Sequence, residues 1–406
     1  MSKEISVQAL QAWSNAYQHD PQRQLATLAL SKASVYSAAW NPVKANAMHP
    51  SFSLELKTLP VTDQQHSGRC WLFAATNVLR EKIAKELNLE QFELSQSYLA
   101  FWDKFEHCNY FLEAMIGLAD RPTDDRTVSF VLETGVHDGG QWDMFAAIVE
   151  KYGVVPKSVY GETYQSANTG AMNHVLNQAL KAAAVKLRRL AAEGADAAVL
   201  DACKQETLKA IYGYLCACYG QPPKQFDLCV TDKDGQFHAE RGLTPQAFAR
   251  KYVMDLVQGA VSVIHAPTDD KPYYRTYTVA QLGNVVGGRQ VKHLNLPMEE
   301  LKAAIIRQLQ DGRVVWFGSD VGHDGERELG IWDDQCFDLP LLTGLDLTIS
   351  KQDALDYGHA AMNHAMVLTG VDLVDGKPTK WKIENSWGDK NGEKGYYICS
   401  DSWFDA

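Results

Sequence analysis

The run Gln64-Gln65-His66-Ser67-Gly68-Arg69-Cys70-Trp71-Leu72-Phe73-Ala74 constrains this chain more than any other stretch. From Cys70 onward, Leu72, Ala75, Leu79, Ile83 and Leu87 recur at steps of three and four, the spacing of a buried amphipathic helix. Ser67 reads as the cap of that helix, which puts Cys70 in its first turn. Unpaired N–H groups and the positive dipole end there favour a thiolate, with a pKa drawn from ~8.5 toward ~3.5–7.5. Such a thiol is a nucleophile at neutral pH. A single cysteine is more often a small buried hydrophobe, so the chemistry requires a base elsewhere.

That base stands far along the chain. Met362 to Val371 reads as a strand with His364 at its beginning, Asp375-Gly376 is a hairpin turn, and Trp381 to Glu384 is the returning strand. His364 lies eleven residues before Asp375, and Asn385 nine after Gly376, so both are expected at one end of the hairpin. Facing residues there are ~4.5–5.5 Å apart and diagonal ones ~7–8 Å, close enough for the amide to hold the imidazole. A bulge near the turn shifts this register by a residue or two without separating the pair.

Three roles follow from these residue types. Cys70 attacks a carbonyl as a thiolate, His364 forms the ion pair and protonates the leaving amine, and Asn385 fixes the ring's orientation and tautomer. Gln64, six residues before Cys70, reaches back so that its side-chain amide joins the Cys70 N–H as an oxyanion donor. One such donor is worth roughly 10²–10³ in rate. Trp387 is either a shield over the Asn–His hydrogen bond or an ordinary core aromatic. His66 is a rival base by sequence distance alone, but it sits in the loop before the helix and lacks an orienting partner.

Gln64 to Ala74 and Glu384-Asn385-Ser386-Trp387-Gly388 resemble the papain-like cysteine peptidases. The fuller form Ser67 to Ala74 is similar to the bleomycin hydrolase/aminopeptidase C branch. So are Asp138-Gly139-Gly140-Gln141-Trp142-Asp143-Met144, Lys151 to Lys157, and Asn363-His364-Ala365-Met366. The resemblance runs from about Asn41 to the last residue, with several separated motifs in order. It implies an α+β fold, papain-like and two-lobed, with a helical lobe, a β-sheet lobe and a helical insertion. It also implies Cys70, His364, Asn385 and Gln64 as the catalytic set. Gly139 and Gly140 match the glycine pair whose backbone binds an extended substrate, though a plain turn is the simpler reading; Asn363 would offer substrate only its backbone.

Composition agrees with a cytoplasmic enzyme. Hydrophobic residues make up 46% and charged residues 22% of 406 residues, enough for two or three domains or one with a long insertion. The start Met1 to Val7 lacks a basic-then-apolar export pattern, and no uninterrupted apolar run is long enough to span a membrane. Eight cysteines without framework spacing suit reduced thiols. No cofactor is expected. Cys216-Ala217-Cys218 with Cys203 and Cys229 lacks the paired C-x-x-C of a zinc site, and His359 with His364 misses the H-E-x-x-H spacing. Family members have been described as nucleic-acid binders, but a net charge of −11 opposes phosphate backbones. Lys181, Lys186, Arg188 and Arg189 read as the solvated face of a helix.

The expected organisation is an N-terminal segment packing on the core (1–60), a helical lobe with the nucleophile (61–165), a helical insertion (166–250) and a β-rich lobe (251–406). Helices are expected near Val7–Tyr17, Ser95–Ile116, Trp142–Tyr152, Ala171–Ala192, Ala195–Tyr219 and Met298–Gln310, and strands at Tyr273–Val279 and Val314–Ser319. The insertion reads as a layer apart from the catalytic scaffold. The expected activity is hydrolysis of short peptides, as an aminopeptidase or alternatively an endopeptidase; a non-catalytic nucleic-acid-binding relative is disfavoured because Cys70, His364 and Gln64 are all present. Branch members usually continue past the equivalent of Ser402 to Asp405 with an arm that ends in the cleft, its terminal carboxylate pairing with the substrate α-amine. The resemblance thus implies trimming from a free amine where such an arm exists and internal cleavage where it does not. It also implies a homohexamer enclosing the active sites, which restrains a peptidase lacking an inhibitory propeptide.

Overall fold

Leucine and alanine at helical spacing build most of the first half of the chain, and alternating large apolar residues build the second. A computed structural model describes residues 4–406; Met1–Lys3, part of the export-signal reading, lie outside them. Cys70–Glu86 is a helix with 13 of its 17 residues buried, packed beside Gln96–Gly117 and Trp142–Tyr152. Ser95 caps the second of these through the Tyr98 N–H. Gly153 ends the third with φ +74, and a Cβ there would stand 2.2 Å from the Pro245 backbone, so only glycine fits.

Gly170–Ala192 and Ala197–Tyr219 form an antiparallel pair about Gly194, and both lie against Gln96–Gly117. Met172, Leu176, Leu180, Ala183 and Leu187 bury one stripe of the first helix in the same apolar cluster as Leu72, Leu79 and Ile83. The insertion therefore shares the core of the nucleophile helix rather than forming a separate layer. On its outer face Arg188 caps the Gln96–Gly117 helix through the Leu118 carbonyl at 2.8 Å, while Lys181, Lys186 and Arg189 are exposed.

The expected helical insertion over 166–250 also holds an antiparallel hairpin, Phe226–Thr231 with Phe237–Leu243, and the β-rich lobe expected from 251 opens on a helix rather than a strand. Pro245–Tyr252 and Met254–Gly259 are helices that return to the Trp142–Tyr152 helix. Thr244 caps the first of them and Pro245 opens it, a start signal present in the sequence. The strand expected over 273–279 is only Thr276–Tyr277, because Tyr274 turns the backbone with φ 61; it belongs to a small sheet with Ser262–Ile264 and His293–Asn295.

A seven-stranded sheet forms the second lobe. Its order is Leu54–Glu55, His364–Val374, Lys377–Glu384, Tyr396–Ser400, Ile331–Trp332 and Gly325–Glu326, with Val315–Ser319 also paired to His364–Val374. All pairs are antiparallel except Tyr396–Ser400 with Ile331–Trp332. Asp375 and Gly376 both take positive φ, as a two-residue hairpin turn requires. His364–Val374 is buried on both faces: Ala365 and Val367 join the helical core, whereas Met366, Leu368 and Val371 join Trp381, Ile383 and Tyr397. A strand wedged between two cores fixes His364 at the junction of the lobes.

The N-terminal helices behave differently. Val7–Gln18 and Pro21–Leu30 bury no residue, so packing on the core begins only with Ala39. Gln22 and Arg23 bond the Leu341 and Thr343 carbonyls, which holds the second helix against Leu339–Thr343.

Candidate active site

Cys70 is the first residue of its helix, but Ser67 does not cap it. Arg69 occupies the cap without a side-chain bond, and the Ser67 hydroxyl instead donates to the Gln64 carbonyl at 2.6 Å, tightening the loop before the cysteine. Across the lobe junction lies Ala365, whose backbone amide acts on the Cys70 sulfur together with the amides of Trp71 and Cys70 itself. The Cys70 Sγ itself lies 3.9 Å from the Gly68 carbonyl oxygen.

The helix start does not lower the thiol pKa as expected. Burial pushes the Cys70 thiol up, and the three amides offset this only partly. Burial likewise pushes His364 down, opposed by its bond to Asn385 and assisted by the Arg327 charge. Each group alone favours its neutral form, so a proton passing from sulfur to imidazole creates both charges together.

His364 Nε2 lies 2.8 Å from Asn385 Oδ1, both groups buried. The amide oxygen accepts, so Nε2 carries the proton and Nδ1 is the basic nitrogen. Trp387 stacks on the imidazole with ring centroids 4.6 Å apart and planes at 26°. The hairpin brings the pair together through an offset register. Val367 pairs with Glu384, irregularities fall at Leu368/Gly370 and Asp372/Leu373, and His364 itself pairs on its other side with Ser319. Asn363 is exposed, and its side chain is engaged: Nδ2 donates to Asp320 at 2.7 Å and Oδ1 accepts from the Val321 N–H at 3.0 Å.

Gln64 is buried against the Asn385 strand end. Its Nε2 donates to the Ser67 carbonyl at 2.6 Å and its Oε1 accepts from the Ser386 hydroxyl at 2.7 Å. Ser386, which the sequence reading passed over, thereby orients the amide and leaves one Nε2 hydrogen free. His66 is exposed and joins the Ala167 carbonyl through its backbone.

Gly139 and Gly140 are only partly covered, leaving their main chain open to approach. A Cβ on Gly140 would stand 2.6 Å from the Trp71 ring, so the segment runs flat over that indole. The Gly139 N–H donates to His137 Nδ1 at 3.0 Å. Among the described residues no group of His, Cys, Asp and Glu side chains is arranged to hold a metal ion.

A buried ion pair that the sequence did not reveal ties the two halves. Arg80 on the nucleophile helix lies 2.8 Å from Glu384, the neighbour of Asn385, and Asn77 Nδ2 donates to the same oxygen at 2.7 Å. Burial raises the Glu384 carboxyl to about 7 although the Arg80 charge opposes it. Arg80→Met should cost about 3–5 kcal/mol in urea unfolding, because the remaining carboxylate is left buried without its partner. A loss below about 1 kcal/mol, the range of exposed pairs, would show the pair to be dispensable.

The sequence profile of the Peptidase C1-like family matches residues 4–406. Aminopeptidase C of Lactobacillus delbrueckii subsp. lactis is 49% identical over 405 residues, covering 100% of this chain and 90% of the relative. Aminopeptidase W of the same organism is 40% identical over 404 residues, covering 100% and 92%. The crystal structure of pepw from Lactobacillus rhamnosis HN001 superimposes with a TM-score of 0.98 at 49% identity, over 100% of this chain and 91% of that one.

Proposed function

The chain belongs to the Peptidase C1-like family and is a cysteine-type aminopeptidase, and from that premise we propose how its residues carry the reaction. Cys70 gives its proton to His364 Nδ1 and attacks the scissile carbonyl. Gln64 Nε2 and the Cys70 N–H donate to the oxygen as it becomes an anion. The C–N bond breaks as His364 protonates the leaving amine, and water, activated by the same imidazole, hydrolyses the thioester. Asn385 holds the ring, Trp387 keeps water from their bond, and the main chain of Gly139, Gly140 and Asn363 lines the substrate. The observation that carries this reading is the buried 2.8 Å His364–Asn385 bond at the start of a strand packed against the Cys70 helix.

The substrates are short peptides with a free α-amine. An amino-acid amide should be turned over at least about tenfold faster, in kcat/KM, than the N-acylated dipeptide amide with the same scissile bond. Preference for the blocked substrate would instead favour the endopeptidase reading.

The working form is a cytoplasmic homo-oligomer, a hexamer by the family resemblance. What supports association is the N-terminal pair of helices, where Leu10, Trp13, Leu25 and Leu28 are 51–70% exposed on segments that bury nothing in their own chain. A second copy would cover this face. Light scattering at micromolar concentration should give a multiple of 45.2 kDa, and Trp13→Glu with Leu28→Glu should shift it toward the monomer; a stable monomer of the unsubstituted protein would contradict this.

A further inference from the structure

The carboxylate next to the glycine pair is tied to the loop that carries the nucleophile. We propose that Asp138 is a positioning residue for hydrolysis, its carboxylate setting the loop before Cys70 at a fixed distance from the Gly139–Gly140 main chain. The proposal rests on the reading of Cys70 as nucleophile and of the glycine pair as the substrate's backbone partner.

Four donors converge on this side chain, which is only 10% exposed. Oδ2 accepts from the Gly68 N–H at 2.8 Å and from the Thr169 hydroxyl. Oδ1 accepts from Lys104 Nζ at 2.6 Å and from Asn173 Nδ2 at 2.8 Å. The Asp138 carbonyl accepts from Trp71 Nε1 at 2.5 Å. Gly68 and Trp71 flank Cys70, and a Cβ on Gly68 would stand 2.9 Å from the Asp138 Cβ, so the two loops touch with nothing between them. Lys104 comes from the helix beneath, and Thr169 and Asn173 come from the start of the insertion.

This arrangement separates positioning from proton transfer. A carboxylate has about four acceptor sites, and the four donors occupy them. Burial would raise its pKa, but Lys104 with the Asn173 and Thr169 donors holds it well below the ordinary value of 3.8. Asp138 therefore stays ionised and anchored through neutral pH. Its links to Gly68 and Trp71 fix the nucleophile's loop, while its own chain continues directly into the glycines. Displacement of one against the other by about 1 Å is enough to cost up to 10²-fold in turnover. The insertion thus reaches the catalytic loop through one carboxylate.

The test removes the anchor without leaving a buried cation unpaired. Asp138→Ala combined with Lys104→Met should lower kcat on a peptide amide by about 30–100-fold with KM within about threefold. The rate of Cys70 alkylation by iodoacetamide at its alkaline plateau, which needs no positioned carbonyl, should stay within about threefold. Asp138→Asn with Lys104→Met keeps an oxygen for the Gly68 N–H and should recover kcat to within about tenfold. Thr169→Val leaves both charges in place and reads the same point from the insertion side, with a drop of about fivefold or more in kcat. Unchanged kcat in the folded alanine variant, or a parallel loss of alkylation and turnover, would overturn the proposal. If that variant does not fold, Thr169→Val decides alone, and kcat within about twofold overturns it. Alkylating Cys70 in the unsubstituted protein is the control: turnover that survives it refutes the nucleophile reading rather than the role of Asp138.

Discussion

Replacing Cys70 by serine is expected to lower kcat/KM on peptide amides by about 10⁴-fold or more, while the melting temperature stays near that of the unsubstituted protein. A serine hydroxyl fits the same space at the helix start, so the fold has little reason to change. Its proton is far harder to remove, and burial disfavours the protonated His364 that would have to form. The residual rate should come from the oxyanion donors and substrate binding, which persist when a nucleophile is removed. The other seven cysteines are not expected to take its place. Burial drives the Cys108 thiol to about 12 and the Cys399 thiol well up, and burial beside Asp333 takes Cys336 to about 12. Cys229 is exposed on the Phe226–Thr231 strand within the insertion, where its alkylation should leave turnover intact. Activity within about tenfold of the unsubstituted protein in Cys70→Ser would sink the thiol mechanism.

The second large effect separates His364 from Asn385. His364→Ala should cost about 10³–10⁴-fold or more in kcat, because it removes both the base for the thiol and the acid for the leaving amine. Asn385→Ala should cost about 10²-fold and leave measurable turnover. The imidazole would keep its ring face against Trp387, while Nε2–H would lose its acceptor in a buried site, so the ring would adopt the wrong tautomer or tilt part of the time. The order of the two effects is the informative part, since only one of these groups carries the proton. If His66→Ala were the lethal change and His364→Ala mild, the hairpin assignment would be wrong.

Much of this site was readable in the sequence because each part advertises itself locally. The Cys70 helix shows in its apolar spacing, the long insertion helices in their leucines and alanines, and the hairpin in Asp375-Gly376 between two apolar runs. Counting from that turn brought His364 and Asn385 together even though bulges shifted the true register. The misreadings came from quantities that local pattern does not carry. The helix start suggested a lowered thiol pKa, but burial, invisible in a cysteine's neighbours, outweighs it. Ser67 looked like a cap until the fold turned its hydroxyl to Gln64. Ser386 with Gln64, Glu384 with Arg80, and Asp138 with Gly68 are partners 322, 304 and 70 residues apart, so no periodicity could join them. Thr169 and Asn173 sit at the beginning of a helix, where they read as ordinary helix-start residues rather than donors to another loop. The hairpin of Phe226–Thr231 with Phe237–Leu243 inside the helical insertion was the avoidable miss, since Asp234-Gly235 stood in plain sight.

The account stands or falls on whether the acyl group passes through the sulfur of Cys70. The most direct measurement is to quench turnover of a slowly deacylating ester of a free-amine amino acid with acid, then locate the adduct by peptide mass spectrometry. The account predicts a stoichiometric acyl mass on the peptide containing Cys70, absent in Cys70→Ser and accumulating to a smaller extent in His364→Ala. An acyl group on any other side chain, or rapid turnover with no covalent adduct at any time point, would contradict it.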